Sequence, residues 1–140
     1  MKTSLIILIS IVFFTGCVAT TSQFANVYNS AVANGKSTTI LKDGDFLIVK
    51  DNVNAHFKDV GYSSVLYSSP QEGFIVVFKD IPLAKAMLIG DAHPYKIILK
   101  YTKAGVGKTR IDLVNGSTGL FAQNEVQQDI SQIAELLRAD

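Results

Sequence analysis

Among the side chains able to bind or react, the string Thr102-Lys103-Ala104-Gly105-Val106-Gly107-Lys108-Thr109 is the most suggestive. Its Gly-Val-Gly-Lys-Thr part has the composition of a loop that wraps backbone amides round phosphates. That loop needs a glycine six positions before the lysine, and Thr102 stands there. It must also feed Lys-Thr into a helix whose N-terminus faces the phosphates, whereas Arg110-Ile111-Asp112-Leu113-Val114 has the composition of a strand. The string is expected to be a hairpin turn with no nucleotide role. His56 and His93 are the only histidines. A metal or catalytic role for either needs convergent partners. Asp91 and His93 supply two ligand types without a third, and His56 lies beside an apolar helical stripe, where a hydrogen-bonded structural histidine is the ordinary outcome. Ser63, Ser64, Ser68 and Ser69 sit in no glycine-flanked nucleophile elbow. Pairs of carboxylates can be drawn from many acidic residues, so they select no sugar-cleaving site. No catalytic residue, metal or cofactor is expected, and the chain does not read as an enzyme.

The remaining reactive group is the only thiol, Cys17. It follows an apolar run from Leu5 to Phe14, which is preceded by Lys2. A membrane-crossing helix needs about 20 apolar residues, so this run is too short to span. A basic start, an apolar centre and small residues before a cut describe a secretory signal. The string Phe14-Thr15-Gly16-Cys17 resembles the lipobox of bacterial lipoproteins, with Phe14 standing where that family favours Leu or another aliphatic residue. The resemblance implies that residues 1–16 are removed as a signal peptide and that a diacylglycerol is attached to Cys17. Residues 17–21 would then form a lipidated tether and residues 22–140 a single domain. Two or more acyl chains hold a protein firmly to a bilayer, where one chain does so only marginally. Val18, rather than Asp, follows the cysteine; in Gram-negative lipoproteins this implies sorting to the outer membrane, facing the periplasm. A lone exported thiol is otherwise reactive and calls for an explanation, and lipidation supplies it. Neither disulfides nor thiolate chemistry then remain available to the domain.

Of the 140 residues, removal of 16 leaves 124, and it takes one of the 13 basic side chains, leaving 12 against 12 acidic ones. That length suits one domain with a real core. Overall neutrality and export both speak against nucleic-acid binding, which needs a basic stripe to displace counterions. Lys96, Lys100, Lys103, Lys108 and Arg110 fall on a predicted hairpin with Asp112 and are expected to form its solvated face. Tyr62, Tyr67, Tyr95 and Tyr101 recur on predicted strands and are expected mainly in the core or on the sheet surface.

The elements that position these residues follow from spacing. Phe24, Val27, Tyr28, Ala31 and Val32 share one helical face, with Thr21 or Ser22 able to cap its start and Gly35 its end. Ser37 to Leu41 reads as a short strand ended by Lys42-Asp43-Gly44. Phe46, Val49, Val53, Phe57 and Val60 predict a second helix closed by Gly61, although Phe46 to Lys50 is also good strand material. Tyr62–Ser68 and Gly73–Lys79 predict a hairpin around Ser69-Pro70-Gln71-Glu72. Residues 81–94 read either as a short helix opened by Pro82 and closed by Gly90 or as an edge strand. Tyr95–Tyr101 and Lys108–Val114 predict a second hairpin. Val126, Ile130, Ile133, Ala134 and Leu137 form the stripe of a C-terminal amphipathic helix, with Asn124 and Gln127 spaced as a capping box. Helices between and after hairpins predict an α+β fold: one antiparallel sheet carrying two or three helices on one face.

The runs Phe57-Lys58-Asp59-Val60-Gly61-Tyr62 and Ser68-Ser69-Pro70-Gln71-Glu72-Gly73-Phe74-Ile75-Val76 resemble small envelope lipoproteins in which a helix ends at Gly-Tyr and leads into a hairpin, as in the helix-grip domains of outer-membrane assembly lipoproteins. Such a likeness concerns shape and not activity. The expectation is a lipid-anchored, non-enzymatic interaction or assembly module of the envelope, bound to the membrane through Cys17 and to an envelope protein through the exposed sheet face or edge. The alternative is a carrier or sensor of a small apolar ligand.

Overall fold

A computed structural model of the chain describes residues 23–139. The expected signal peptide and tether, with Cys17 and the Thr21/Ser22 cap, lie outside these residues. The first described element is α1 (residues 23–33), which buries Phe24 and Tyr28 and leaves Val27 and Val32 at its margins. It is followed by β1 (Ser37–Asp43), α2 (Phe46–Asp59), β2 (Ser64–Ser69), β3 (Phe74–Phe78), α3 (Leu83–Ile89), β4 (Lys96–Gly105), β5 (Lys108–Asn115) and α4 (Leu120–Ala139). Both ambiguous segments are helical. In α2 Val49, Val53 and Phe57 follow at steps of four, and the helix buries all three on one face; a strand over Phe46 to Lys50 would have contained only the first of them. Over α3, Gly90 takes the left-handed conformation (φ 75°) and its N–H donates to the carbonyl of Ala86, closing the last turn.

The five strands form one sheet in the order β1-β5-β4-β3-β2, and every pair is antiparallel. Two hairpins, β2–β3 and β4–β5, lie side by side, and β1 closes the far edge against β5. The fold is thus α+β, with one antiparallel sheet built from hairpins and a C-terminal amphipathic helix, as the spacing predicts. Helices α2 and α4 cover one face. Their buried residues join Ile40, Ile75, Val77, Ile97, Leu99, Ile111 and Leu113 in the main core. All five residues predicted for the α4 stripe are buried there.

The second face is covered as well. Phe24 and Tyr28 of α1 pack on Phe74, Val76, Ile98 and Val114, the outward residues of the central strands. The cause is legible in β3, whose run Phe-Ile-Val-Val-Phe is buried at all five positions. A strand that alternates sides and is apolar throughout must be covered on both. Of the expected solvated hairpin face, Lys103, Lys108 and Arg110 are exposed, but the expectation fails at Asp112. Asp112 is only 2% exposed, because α1 lies over it. Its carboxylate accepts hydrogen bonds from Tyr28 Oη (2.8 Å), Thr39 Oγ1 (2.6 Å) and Arg110 Nε (3.0 Å). Lys100 places its ammonium over the rings of Tyr28 and Phe74 at 5.2 and 5.0 Å.

The capping box is also displaced. Helix α4 starts at Leu120, so Asn124 lies a turn inside it and does not cap it. Its start is instead tethered by the preceding loop: Asn115 Nδ2 donates to the Gln123 carbonyl at 2.8 Å, and Asn115 Oδ1 accepts from the Ser117 amide at 3.1 Å. At the other end Lys42 Nζ donates to the carbonyl of Leu137 at 2.9 Å, which satisfies an orphan acceptor of the last turn. Gly73, before β3, is required on two grounds. Its φ is +69°, and a Cβ there would lie 2.4 Å from the carbonyl oxygen of Tyr101.

Candidate functional site

The structure separates the residues whose types suggested chemistry. The Gly-Val-Gly-Lys-Thr string forms the end of the β4–β5 hairpin, with Val106 fully exposed at its tip. Lys108 faces Asp43 across to β1 at 3.9 Å, and Thr109 Oγ1 donates to the Gly44 carbonyl. The residues after the turn continue into strand β5 and not into a helix. Asp91 is occupied with structure. It accepts from the His93 amide at 2.8 Å, from Lys96 Nζ at 3.1 Å and from Thr118 Oγ1, and so ties the loop after α3 to the loop before α4. Burial alone would push its carboxyl upward, but the bonds from Thr118, the His93 amide and Lys96 outweigh that and hold its pKa below the ordinary carboxylate value. His93 stacks on Phe78 with ring centroids 4.0 Å apart. His56 lies in the last turn of α2. Among the described residues no three His, Cys, Asp or Glu side chains converge as a metal group.

Of the strand serines, Ser64 donates to Asp80 at 3.2 Å, while Ser68 is exposed on β2. Tyr62, Tyr95 and Tyr101 are buried and Tyr67 half-buried, so they serve mainly the core, as expected. Tyr62 Oη donates to Asp129 at 2.8 Å, and Lys79 Nζ reaches the same carboxylate at 2.6 Å. The pair fastens the hairpin side of the sheet to α4. Burial first, and then the bond to Asp129, raises the Tyr62 phenol far above its usual pKa.

What spacing alone did not reveal is an apolar surface at the lower end of the sheet, where α3 and the first turn of α4 meet. Helix α3 buries none of its residues. Its Leu83, Met87 and Leu88 are 77%, 75% and 89% exposed, and Leu120 and Phe121 of α4 are 79% and 91% exposed. Leu88 and Ile89 line one side of a groove of about 520 Å³, and Leu120 and Phe121 line the other. Tyr95 forms part of its base, with Lys85 Nζ 5.1 Å from the centre of that ring. The groove falls within the usual volume range of ligand sites. Its position is enforced by local sequence: Pro82 opens α3 and Gly90 closes it after seven residues, too few to turn an apolar face onto the sheet. The Asp91–Thr118 bond then holds the two loops together. An exposed apolar cluster of this kind on a soluble surface ordinarily marks a contact site. A signal for it existed in Leu83-Ala84-Lys85-Ala86-Met87-Leu88-Ile89, whose apolar residues occur on every side of a helix and so cannot all be buried by one neighbour.

Among the described residues no helix is long and apolar enough to cross a membrane. No protein-family model matches the chain and no curated protein matches it, so its role is argued from its own geometry.

Proposed function

We propose that the chain is a lipid-anchored lipoprotein of the bacterial cell envelope, held at Cys17 in the outer membrane and facing the periplasm. It acts there as a non-enzymatic interaction module. The observation that carries the interaction reading is the set of exposed apolar side chains lining the α3–α4 groove, Leu88 and Ile89 on one side and Leu120 and Phe121 on the other, with Leu83 and Met87 also exposed on α3. The occupant that fits is an envelope protein presenting a complementary apolar surface. Burying these side chains releases roughly 25 cal/mol for each Å² of apolar area removed from water, and methionine adapts its shape to a partner at low cost. The anchor reading rests on the lipobox-like string ending at Cys17.

Metabolic palmitate labelling with a Cys17→Ser control, combined with membrane fractionation, tests the anchor. Label that survives the substitution refutes it. Site-specific photocrosslinking from position 88 or 121 in living cells tests the surface. A discrete heteromeric adduct from these positions, absent from a probe at exposed Gln128, is expected. Recovery of the isolated monomer alone, under conditions that capture known envelope complexes, counts against the module.

A second reading is favoured by the volume of the same groove: a carrier of a small apolar ligand. Such a ligand would sit between α3 and α4 and not between sheet and helices, where the main core is closely filled. Native mass spectrometry of the protein purified without detergent separates the two. A stoichiometric co-purified apolar molecule supports the carrier, and its absence supports the protein contact.

A further inference from the structure

Between α2 and the β2 edge lies a second groove, of about 300 Å³. Its floor is apolar: Phe57, Ile75 and Val77 are 1%, 6% and 4% exposed. Its wall is polar. Lys50, Asn54 and Lys58 recur every four residues along α2, and so stand in one row over the floor. Neither lysine has an ion-pair partner among the described residues. On the strand side, Val65 and Ser68 project into the groove, since they pair with Val77 and Ile75 of the same face.

Beside this groove the sheet ends. Strand β2 is bonded only to β3, so one side of its backbone lacks a ladder partner. Such edges are ordinarily guarded by charge or proline. The opposite edge, β1, carries Lys42 and Asp43, whereas β2 reads Ser-Val-Leu-Tyr-Ser-Ser with Val65 59% exposed. The register shift between Val65 and Tyr67 bends the edge locally, which disfavours long flat pairing of two copies. A short extended segment from another chain avoids that difficulty.

We propose that the α2–β2 groove binds an extended acidic peptide segment, which adds a short strand to β2. Its backbone would satisfy the open edge. Alternate side chains would point toward the helical face, where apolar ones meet Val65 and the floor and carboxylates meet Lys50 and Lys58. Strand addition supplies affinity that is largely independent of sequence, and the lysine row supplies the preference for acidic partners. The inference requires neither the anchor at Cys17 nor the α3–α4 surface, so either can fail without the other.

The test uses the protein as the cell matures it, in nanodiscs if it carries lipid, and an end-blocked octapeptide, Ser-Glu-Thr-Val-Thr-Glu-Thr-Ser, whose two Glu and central Val share one face of a strand. Amide shifts are followed by NMR during titration. Shifts confined to residues 50–58 and 63–69, with submillimolar affinity, are expected. A peptide with Lys in place of Glu should bind at least tenfold more weakly, as should the Lys50→Glu/Lys58→Glu protein to the original peptide. A peptide with Pro replacing its central Val cannot donate to the edge and should lose binding likewise. Equal binding of the acidic and basic peptides, shifts located at the α3–α4 groove, or no shifts at millimolar peptide would each overturn the proposal. Because Lys50 and Lys58 lie on the groove's polar wall, the charge-reversed protein should keep its native spectrum, and the peptide series remains decisive if it does not.

Discussion

Replacing Asp112 by alanine should be among the most damaging single changes outside the main core. The carboxylate is 2% exposed and accepts three hydrogen bonds, from Tyr28 on α1, Thr39 on β1 and Arg110 on its own strand. A bond to a charged group contributes about 1.5–3 kcal/mol, and a buried donor left without an acceptor costs about 1–3 kcal/mol. These contributions do not simply add. Arg110 is 45% exposed and can turn to water, and Thr39 lies on an exposed position of the edge strand. Tyr28 is 7% exposed, so its phenol bears most of the loss. Against this stands the desolvation that Asp112 no longer suffers. The expected net loss is about 3 kcal/mol for Asp112→Ala and about 1.5 kcal/mol for Tyr28→Phe. Because the two groups share one bond, the double variant should fall short of the sum by about 1 kcal/mol. Urea unfolding of residues 18–140, followed by far-UV circular dichroism, measures the series, and amide exchange locates it. In Tyr28→Phe the amides of α1 should lose protection before those of β3 and β4. A loss below about 1 kcal/mol for Asp112→Ala, or strict additivity with Tyr28→Phe, would refute the view that this carboxylate pins α1 to the sheet.

Further outcomes follow from the same contacts. Burial alone would raise the Asp112 carboxyl, but the bonds from Thr39, Tyr28 and Arg110 and the Arg110 charge outweigh it and hold the pKa below the usual value; Asp91 is lowered in the same way. Their contribution is therefore fully present above the unfolded carboxyl pKa, near 4, and is lost as pH falls through the lower folded value. Stability measured from pH 7 downward should hold to about pH 5 and then fall, and Asp112→Asn should flatten that acid limb. Burial first and the Asp112 bond second push the Tyr28 phenol up to about 12, so ultraviolet titration should find it ionising after an exposed tyrosine. Tyr101 Oη is buried without a hydrogen-bond partner among the described residues, so Tyr101→Phe should leave urea stability unchanged or improve it by up to about 1 kcal/mol; a loss of more than about 1 kcal/mol would refute this. Gly73→Ala should destabilise by about 2 kcal/mol or more, since it combines a left-handed backbone with a Cβ 2.4 Å from the Tyr101 carbonyl oxygen, and a thermal melt reads the shift directly.

Residue spacing by itself determined both hairpins, the α4 stripe and the α+β class, and left α2 and α3 open between helix and strand. These features repeat at 2 or 3.6 residues, and such local periods dictate which residues can share a face. Spacing also dismissed the Gly-Val-Gly-Lys-Thr string as a hairpin tip, because Thr102 and the strand-like residues after Thr109 are local facts. Other features depended on which segments meet in space. The placement of α1 over Asp112 was one, and it turned an expected solvated face into a buried ion cluster. The all-apolar β3 was its only clue. The choice between helix and strand for α3 was another, as was its failure to bury any residue, since a short apolar segment does not carry the position of its neighbours. The two grooves are likewise tertiary objects. Leu88 and Phe121, or Lys58 and Val65, become one surface only when the sheet brings α3 to α4 and α2 to β2. The lipobox-like string at Cys17 is the converse case, a contiguous run of residues whose resemblance needs no fold to be read.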